Sequence, residues 1–192
     1  MNLVRAELHK LLTLPSLWLT VLLTIAASTV CPVQYTQAGF VVFGVLAAAS
    51  EHQGGDQIRA TLIAMPRRLP LYAAKMLTLA AVTVPFAAVA AAASIVPLTL
   101  TTPAVAAVAS VVPLALTTLL AAAVGGLVRR AETAAVLLLV GYFVACPLLR
   151  ARFAPFLPDT ATLEASRGGV AAVVWALTAV ILAGCVFHRR DA

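Results

Sequence analysis

The sequence predicts an all-α, polytopic membrane protein: six transmembrane helices preceded by an amphipathic helix lying on the membrane surface. Three observations carry this. Of 192 residues, 62% are apolar and 10% are charged, and the mean hydropathy is +1.04; soluble domains average roughly 45–50% apolar and about 25% charged. The 13 Lys and Arg and 7 Asp and Glu are too few to cover a soluble surface, and they punctuate long uncharged stretches. Those stretches lack the period-two alternation of a transmembrane barrel. The same composition excludes a disordered chain, a disulfide-stapled secreted domain and a soluble nucleic-acid binder. The net charge of +6 therefore reads as basic residues flanking membrane spans.

The elements follow in order. Asn2–Thr13 is patterned as a helix, with Leu3, Val4, Leu8, Leu11 and Leu12 on an arc of about 180° and Arg5, His9 and Lys10 opposite. Such a helix lies in the bilayer interface. Crossing hydrocarbon takes about 20 helical residues. The spans read as Leu14–Val30, Val33–Ser50, Met76–Val96, Ala104–Val128, Thr133–Leu149 and Gly168–Phe187, none with an Asp, Glu, Lys, Arg or His. The second is the weakest. Its strictly apolar part, Ala38–Ser50, reaches only about 20 Å, so it must recruit 33–37, with Tyr35, Gln34 and Gln37 suiting an interfacial end. Cys31-Pro32 is then the turn between the first two spans.

Charge counting favours six spans. Ten basic residues then fall on one side (Arg5, Lys10, Arg59, Arg67, Arg68, Lys75, Arg129, Arg130, Arg189, Arg190) and three on the other (Arg150, Arg152, Arg167). By the positive-inside rule both termini are cytoplasmic. A signal peptide is not expected, because five spans follow the first and Glu7 lies in the positively charged N-terminal region. The alanine and arginine bias suggests a GC-rich bacterial genome.

The missing chemistry narrows the function. Neither Lys10 nor Lys75 ends a P-loop, and there is no HExxH or GxSxG. His9, His52 and His188 lie in separate segments. Cys31, Cys146 and Cys185 form no CxxC, and the first two are expected not to pair. No catalytic residue, cofactor or metal is expected, and no enzyme activity. Proton relays and charge-selective channels use ionisable residues inside the membrane, and here there are none. Energy for any uphill transport must come from outside this chain.

Four polar features remain. Glu7 falls inside the apolar arc of the first helix; it either reaches water, Arg5 or Lys10, or clasps a second cytoplasmic segment. The stretch 51–75 is the longest cytoplasmic loop. Gly54-Gly55 breaks the preceding helix, Asp56 is an N-cap, and Pro66 stops a short helix after Met65. Ile58, Leu62 and Met65 form a narrow apolar stripe there, with Arg59 on another face; a helix this short needs a surface, either the bilayer or a partner protein. Ser16, Thr20, Thr24 and Ser28 recur every four residues on the first span, for helix packing or a translocation path. Finally, alanines 87, 88 and 90–93 allow close approach of the third span, and Pro85 and Pro113 are expected to kink the third and fourth.

Together these segments resemble the type-2 ABC transporter permeases, the membrane-spanning subunits of bacterial ABC exporters, and actinobacterial members most of all. The opening LVRAELHKLLTLPSLWLT resembles their Arg-x-Glu-x-x-Lys start, which leads directly into the first span. GVLAAASEHQGGDQIRATLIAMPRRLPLYAAK resembles their Glu-led loop, with its IR-x-TL-x-x-x-PRR core and a lysine opening the third span. HRRDA after the last span is similar to a common terminus, and GGLVRR is compatible. Two departures stand out. The outer segment between the first two spans is collapsed to Cys31–Gln37, and His52 stands where an aromatic residue often follows the leading Glu51.

The resemblance implies a dimer of such subunits, identical or paired with a related chain, joined to two ATP-binding subunits on which short cytoplasmic helices dock. It places the coupling contact at Glu51, Asp56, Ile58, Arg59, Leu62, Met65, Arg67 and Arg68, with Glu7 as a brace. The expected cargo is a hydrophobic or amphipathic compound, and the expected surroundings are the lipid bilayer of a bacterial cell. The competing expectation is a stand-alone integral immunity or scaffold protein that transports nothing.

Overall fold

The computed structural model describes residues 3–31, 33–53, 68–94, 104–128, 130–153, 156–158 and 168–190. Every long regular element among them is a helix: α1 (Leu3–Thr13), α2 (Pro15–Val30), α3 (Val33–Gln53), α4 (Arg68–Ala93), α5 (Ala104–Val128), α6 (Ala131–Val140), α7 (Cys146–Phe153) and α8 (Gly168–Arg190). A π-helical stretch, Gly141–Ala145, joins α6 to α7, so Ala131–Phe153 is one rod. At its end the Cys146 N–H donates to the Gly141 carbonyl five residues back, the π-helical pattern, and Pro147 follows directly.

Four stretches are long and apolar enough to cross a membrane: Pro70–Ala93, Ala109–Val128, Ala131–Phe153 and Val170–Phe187. Counting α1 and α2 as one bent pair gives five, and α3 adds a shorter apolar stretch, Tyr35–Ala49. The chain is thus an all-helical bundle built for a membrane, with four to five spans by length and composition.

Several helices outrun the sequence expectation. α4 begins at Arg68, not Met76, so residues 68–75 of the expected loop are helical. Pro70 does not prevent this, because a proline in the first turn forfeits only an amide that has no helical partner. The rod ending in α7 and the last helix also continue past the charges that marked their ends. Charge marks the edge of hydrocarbon, whereas a helix continues until a residue breaks it.

α1 and α2 meet at a bend of 70°. Leu14 leaves the helical region (φ −79°, ψ 112°) as a residue before proline does, and Pro15 opens α2. The Trp18 indole N–H donates to the Leu12 carbonyl at 2.7 Å, which satisfies an end group of α1 and braces the elbow.

α3 and α5 form the centre. Phe40, Val41, Phe43, Val45 and Ala47–Ala49 of α3 are all buried. α3 packs on α2, α5 and α6, while α5 packs on α3, α4, α6 and α8. One core cluster stacks Phe86 of α4 on Phe40, 4.4 Å between ring centres, and beside Phe43 at 5.3 Å. A second gathers Val41, Val45, Leu120, Leu138, Tyr142 and Ala176.

α3 and α5 approach through small residues. A Cβ on Gly44 would strike the Thr118 carbonyl and lie 2.9 Å from the Ala121 Cβ; one on Gly125 would lie 3.3 Å from Ala48 and Val45. Gly44-x-x-x-Ala48 faces Ala121-x-x-x-Gly125, the small-residue spacing that lets membrane helices touch. The rim is the inverse. α8 turns Ala172, Ala176 and Ala183 inward and leaves Val170, Val174, Trp175, Leu177, Ile181 and Leu182 exposed. An apolar outer surface of this kind suits a membrane.

Candidate functional site

Two regions carry polar chemistry: the end of the bundle where α1 and the starts of α4 and α6 lie, and a set of buried hydroxyls and one amide between the helices.

At the first, α1 packs on α4. Its packed face is not the whole apolar arc. Leu11 and Leu14 pack against the core cluster together with Met76. Glu7, one turn before Leu11, is half-buried on that same side, while Val4 and Leu12 stay 39% and 47% exposed. This explains an acid inside an apolar arc: Glu7 lies on the face that meets protein, and Val4 and Leu12 on the face left for lipid. Arg5 and His9 are exposed, as expected of the polar side.

The expected coupling residues Asp56, Ile58, Arg59, Leu62, Met65 and Arg67 lie outside the described residues. Glu51 belongs to α3 and Arg68 opens α4. Those two helix ends bracket the segment 54–67.

Sequence reasoning missed Tyr72. Its hydroxyl donates to the Val180 carbonyl of α8 at 3.1 Å. Its ring lies over Gly184, where a Cβ would come within 3.3 Å of the ring, and 6.0 Å from the Phe187 ring. An aromatic residue near the charged end of a span was the available signal.

The stripe Ser16, Thr20, Thr24 and Ser28 runs from an exposed to a buried part of α2. Ser16 is exposed, Thr20 half-buried, and Thr24 and Ser28 buried. Thr20 donates to the Ser16 carbonyl at 2.8 Å, Thr24 to Thr20 at 2.6 Å and Ser28 to Ile25 at 2.7 Å. Thr24 sits where a Cβ on Gly39 would go, so α2 crosses α3 closely at that position. Thr78, Thr83 and Thr118 are likewise buried, each donating to a carbonyl four residues earlier in its own helix.

Gln37 is buried between helices. It is 3% exposed, and its Nε2 donates to Thr117 Oγ1 at 3.2 Å, while Thr117 donates to the Pro113 carbonyl at 2.9 Å. α3 can carry this amide because its neighbours shield it from lipid. Tyr35, two residues earlier, is exposed and stacks on Phe143 at 6.2 Å, in keeping with an interfacial ring. The Thr36 hydroxyl is buried and makes no hydrogen bond.

Cys31, Cys146 and Cys185 are in no disulfide. Among the described residues no group of three or more His, Cys, Asp or Glu gathers as a metal site. No family model, curated protein or solved structure matches the chain.

Proposed function

We propose that the chain is the permease subunit of a bacterial ABC exporter. It crosses the cell membrane six times, with α3 as the second span and both termini cytoplasmic. Two copies, or one copy and a related chain, form the path for a hydrophobic or amphipathic compound, and separate ATP-binding subunits drive it. One observation carries the reading. The two separate segments that resemble the family, Arg5–Trp18 and Gly44–Lys75, draw together in the fold: Leu17 shares a core cluster with Ala47 and Ala48, Leu11 and Leu14 pack against it, and α1 packs on α4. The bend of 70° turns α1 aside from the span it precedes, which suits a helix lying along a membrane surface. The uncharged interior adds to this, since it offers no proton relay and leaves the energy source to a partner.

The test is purification of the tagged chain from its native membrane, with mass spectrometry of whatever accompanies it. The expected result is a stoichiometric subunit bearing a P-loop, ATPase activity in the complex and none in the chain alone. Recovery of the chain without such a subunit, from membranes that contain the neighbouring gene products, overturns the reading in favour of a stand-alone integral protein.

A further inference from the structure

α8 is mounted on α5 through alanines and leaves most of its large side chains facing outward. A seat of alanines has few large side chains interlocking with its neighbour to fix the register, and small sliding of packed helices is a recurrent mode of conformational change. Against that smooth seat, Tyr72 is a specific fastening between α4 and α8. Its hydroxyl uses the second lone pair of a helical carbonyl, and its ring occupies the space that Gly184 leaves open. Away from water the hydroxyl has few alternative partners, so breaking the bond is opposed.

Tyr72 is also close to where force can enter. α4 starts at Arg68, immediately after the segment 54–67, and Tyr72 follows four residues later, about 6 Å along the axis. One helix runs from that entry to Ala93, so a displacement of its first turn reaches Tyr72 without an intervening loop. We propose that Tyr72 is a latch that makes the last turns of α8 follow the first turn of α4. What moves α4 is the coupling assigned above, so this inference rests on the permease reading for its driver. Tyr72 acts here as a positioning residue.

The test uses the full chain in lipid nanodiscs, alone and in complex with its ATP-binding subunit. Cys185 is exposed and adjoins Gly184, so a fluorophore on it, in a Cys31→Ala background, reports the state of α8. Tyr72→Phe keeps the ring and removes the donor. In the chain alone it should speed amide exchange over 180–187 by roughly two- to tenfold, the range expected for one lost hydrogen bond. In the complex it should abolish the ATP-dependent signal at Cys185 while ATP hydrolysis continues. Gly184→Val, which pushes the ring away from the α8 side, should reproduce both effects. Unchanged exchange in both variants overturns the latch, as does a full ATP-dependent signal in Tyr72→Phe or its absence from the wild-type complex. If no ATP-binding subunit joins the wild-type chain, the permease reading fails, and exchange in the chain alone still decides whether Tyr72 holds α8.

Discussion

The Gln37 amide donates to the Thr117 hydroxyl across 3.2 Å in the buried interface of α3 and α5, joining residues 80 positions apart. The two ends of this bond are not equivalent. Thr117 retains its own hydrogen bond to Pro113 when Gln37 is removed, whereas Gln37 has no such substitute. Interhelical bonds in membranes average about 0.6 kcal/mol and reach about 1.7. An orphaned buried polar group costs about 1–3 kcal/mol. Gln37→Leu should therefore destabilise the chain less than Thr117→Val, as measured by unfolding in mixed detergent micelles. The reverse order would show that the amide is wetted and that the bond contributes little.

Gly44 and Gly126 make a matched pair. A methyl on Gly44 meets the Thr118 backbone, and one on Gly126 meets nothing within 4 Å. Gly44→Ala should cost about 1–3 kcal/mol, the usual range for overpacking. Gly126→Ala should be neutral or stabilising by up to about 1 kcal/mol, because alanine is the better helix former. Equal stabilities of the two variants would refute the close crossing of α3 on α5.

The elbow between α1 and α2 depends on Pro15 and Trp18. Pro15→Ala restores an amide and frees Leu14 to become helical, so α1 and α2 should straighten. Spin labels at the exposed positions Val4 and Leu23 should then move apart, with a further increase when Trp18→Phe also removes the indole donor. An unchanged label distance in the double variant would mean that packing of α1 on α4 alone sets the bend.

The proposed six spans with both ends inside make a sharp topological demand. Reporter fusions at Ala192 and after Gly54 should both show cytoplasmic activity. An external signal after Gly54 removes α3 from the set of spans and leaves five.

The segment 54–67 is where a cytoplasmic partner should bind. Ile58→Asp and Leu62→Ala should each weaken co-purification of the ATP-binding subunit, by more than about 1 kcal/mol if the side chain fills a pocket. Insertion in the membrane should be normal. Arg59→Glu should impair coupling if the partner's face is acidic. Glu7→Gln should reproduce part of the defect, with rescue by a charge swap at Arg67 or Arg68 if Glu7 braces that segment. Unaltered complexes and transport in both the Ile58 and Leu62 variants would reduce the segment to a lipid tether.

Charge spacing bounded the uncharged stretches, because burying charge in hydrocarbon is costly, but Leu11–Ser50 and Met76–Val128 each hold two helices that no charge divides. α2 and α5 begin and end within one residue of the expected limits. The burial of Gln37 was not legible, since a hydropathy reading assumes that every span faces lipid and α3 is wrapped by protein. The Gly44–Ala48 and Ala121–Gly125 spacing was visible in the sequence and would have pointed to it. Glu7 stood out as an anomaly before α1 was known to dock on α4. Tyr72 did not, because its significance depends on Gly184, 112 residues later.

The position of α5 at the hub has a consequence for biogenesis. Helices enter the bilayer as they leave the ribosome, yet α2, α3 and α4 are made before the helix that α3 and α4 pack on most broadly. At a synthesis rate of about 5–20 residues per second, the 80 residues between Gln37 and Thr117 take roughly 4–16 s. During that interval the Gln37 amide lacks its Thr117 partner, and the apolar stretch of α3, Tyr35–Ala49, is short for a span. It must be held at the insertion machinery or along the interface, and it becomes a settled part of the bundle only when α5 arrives.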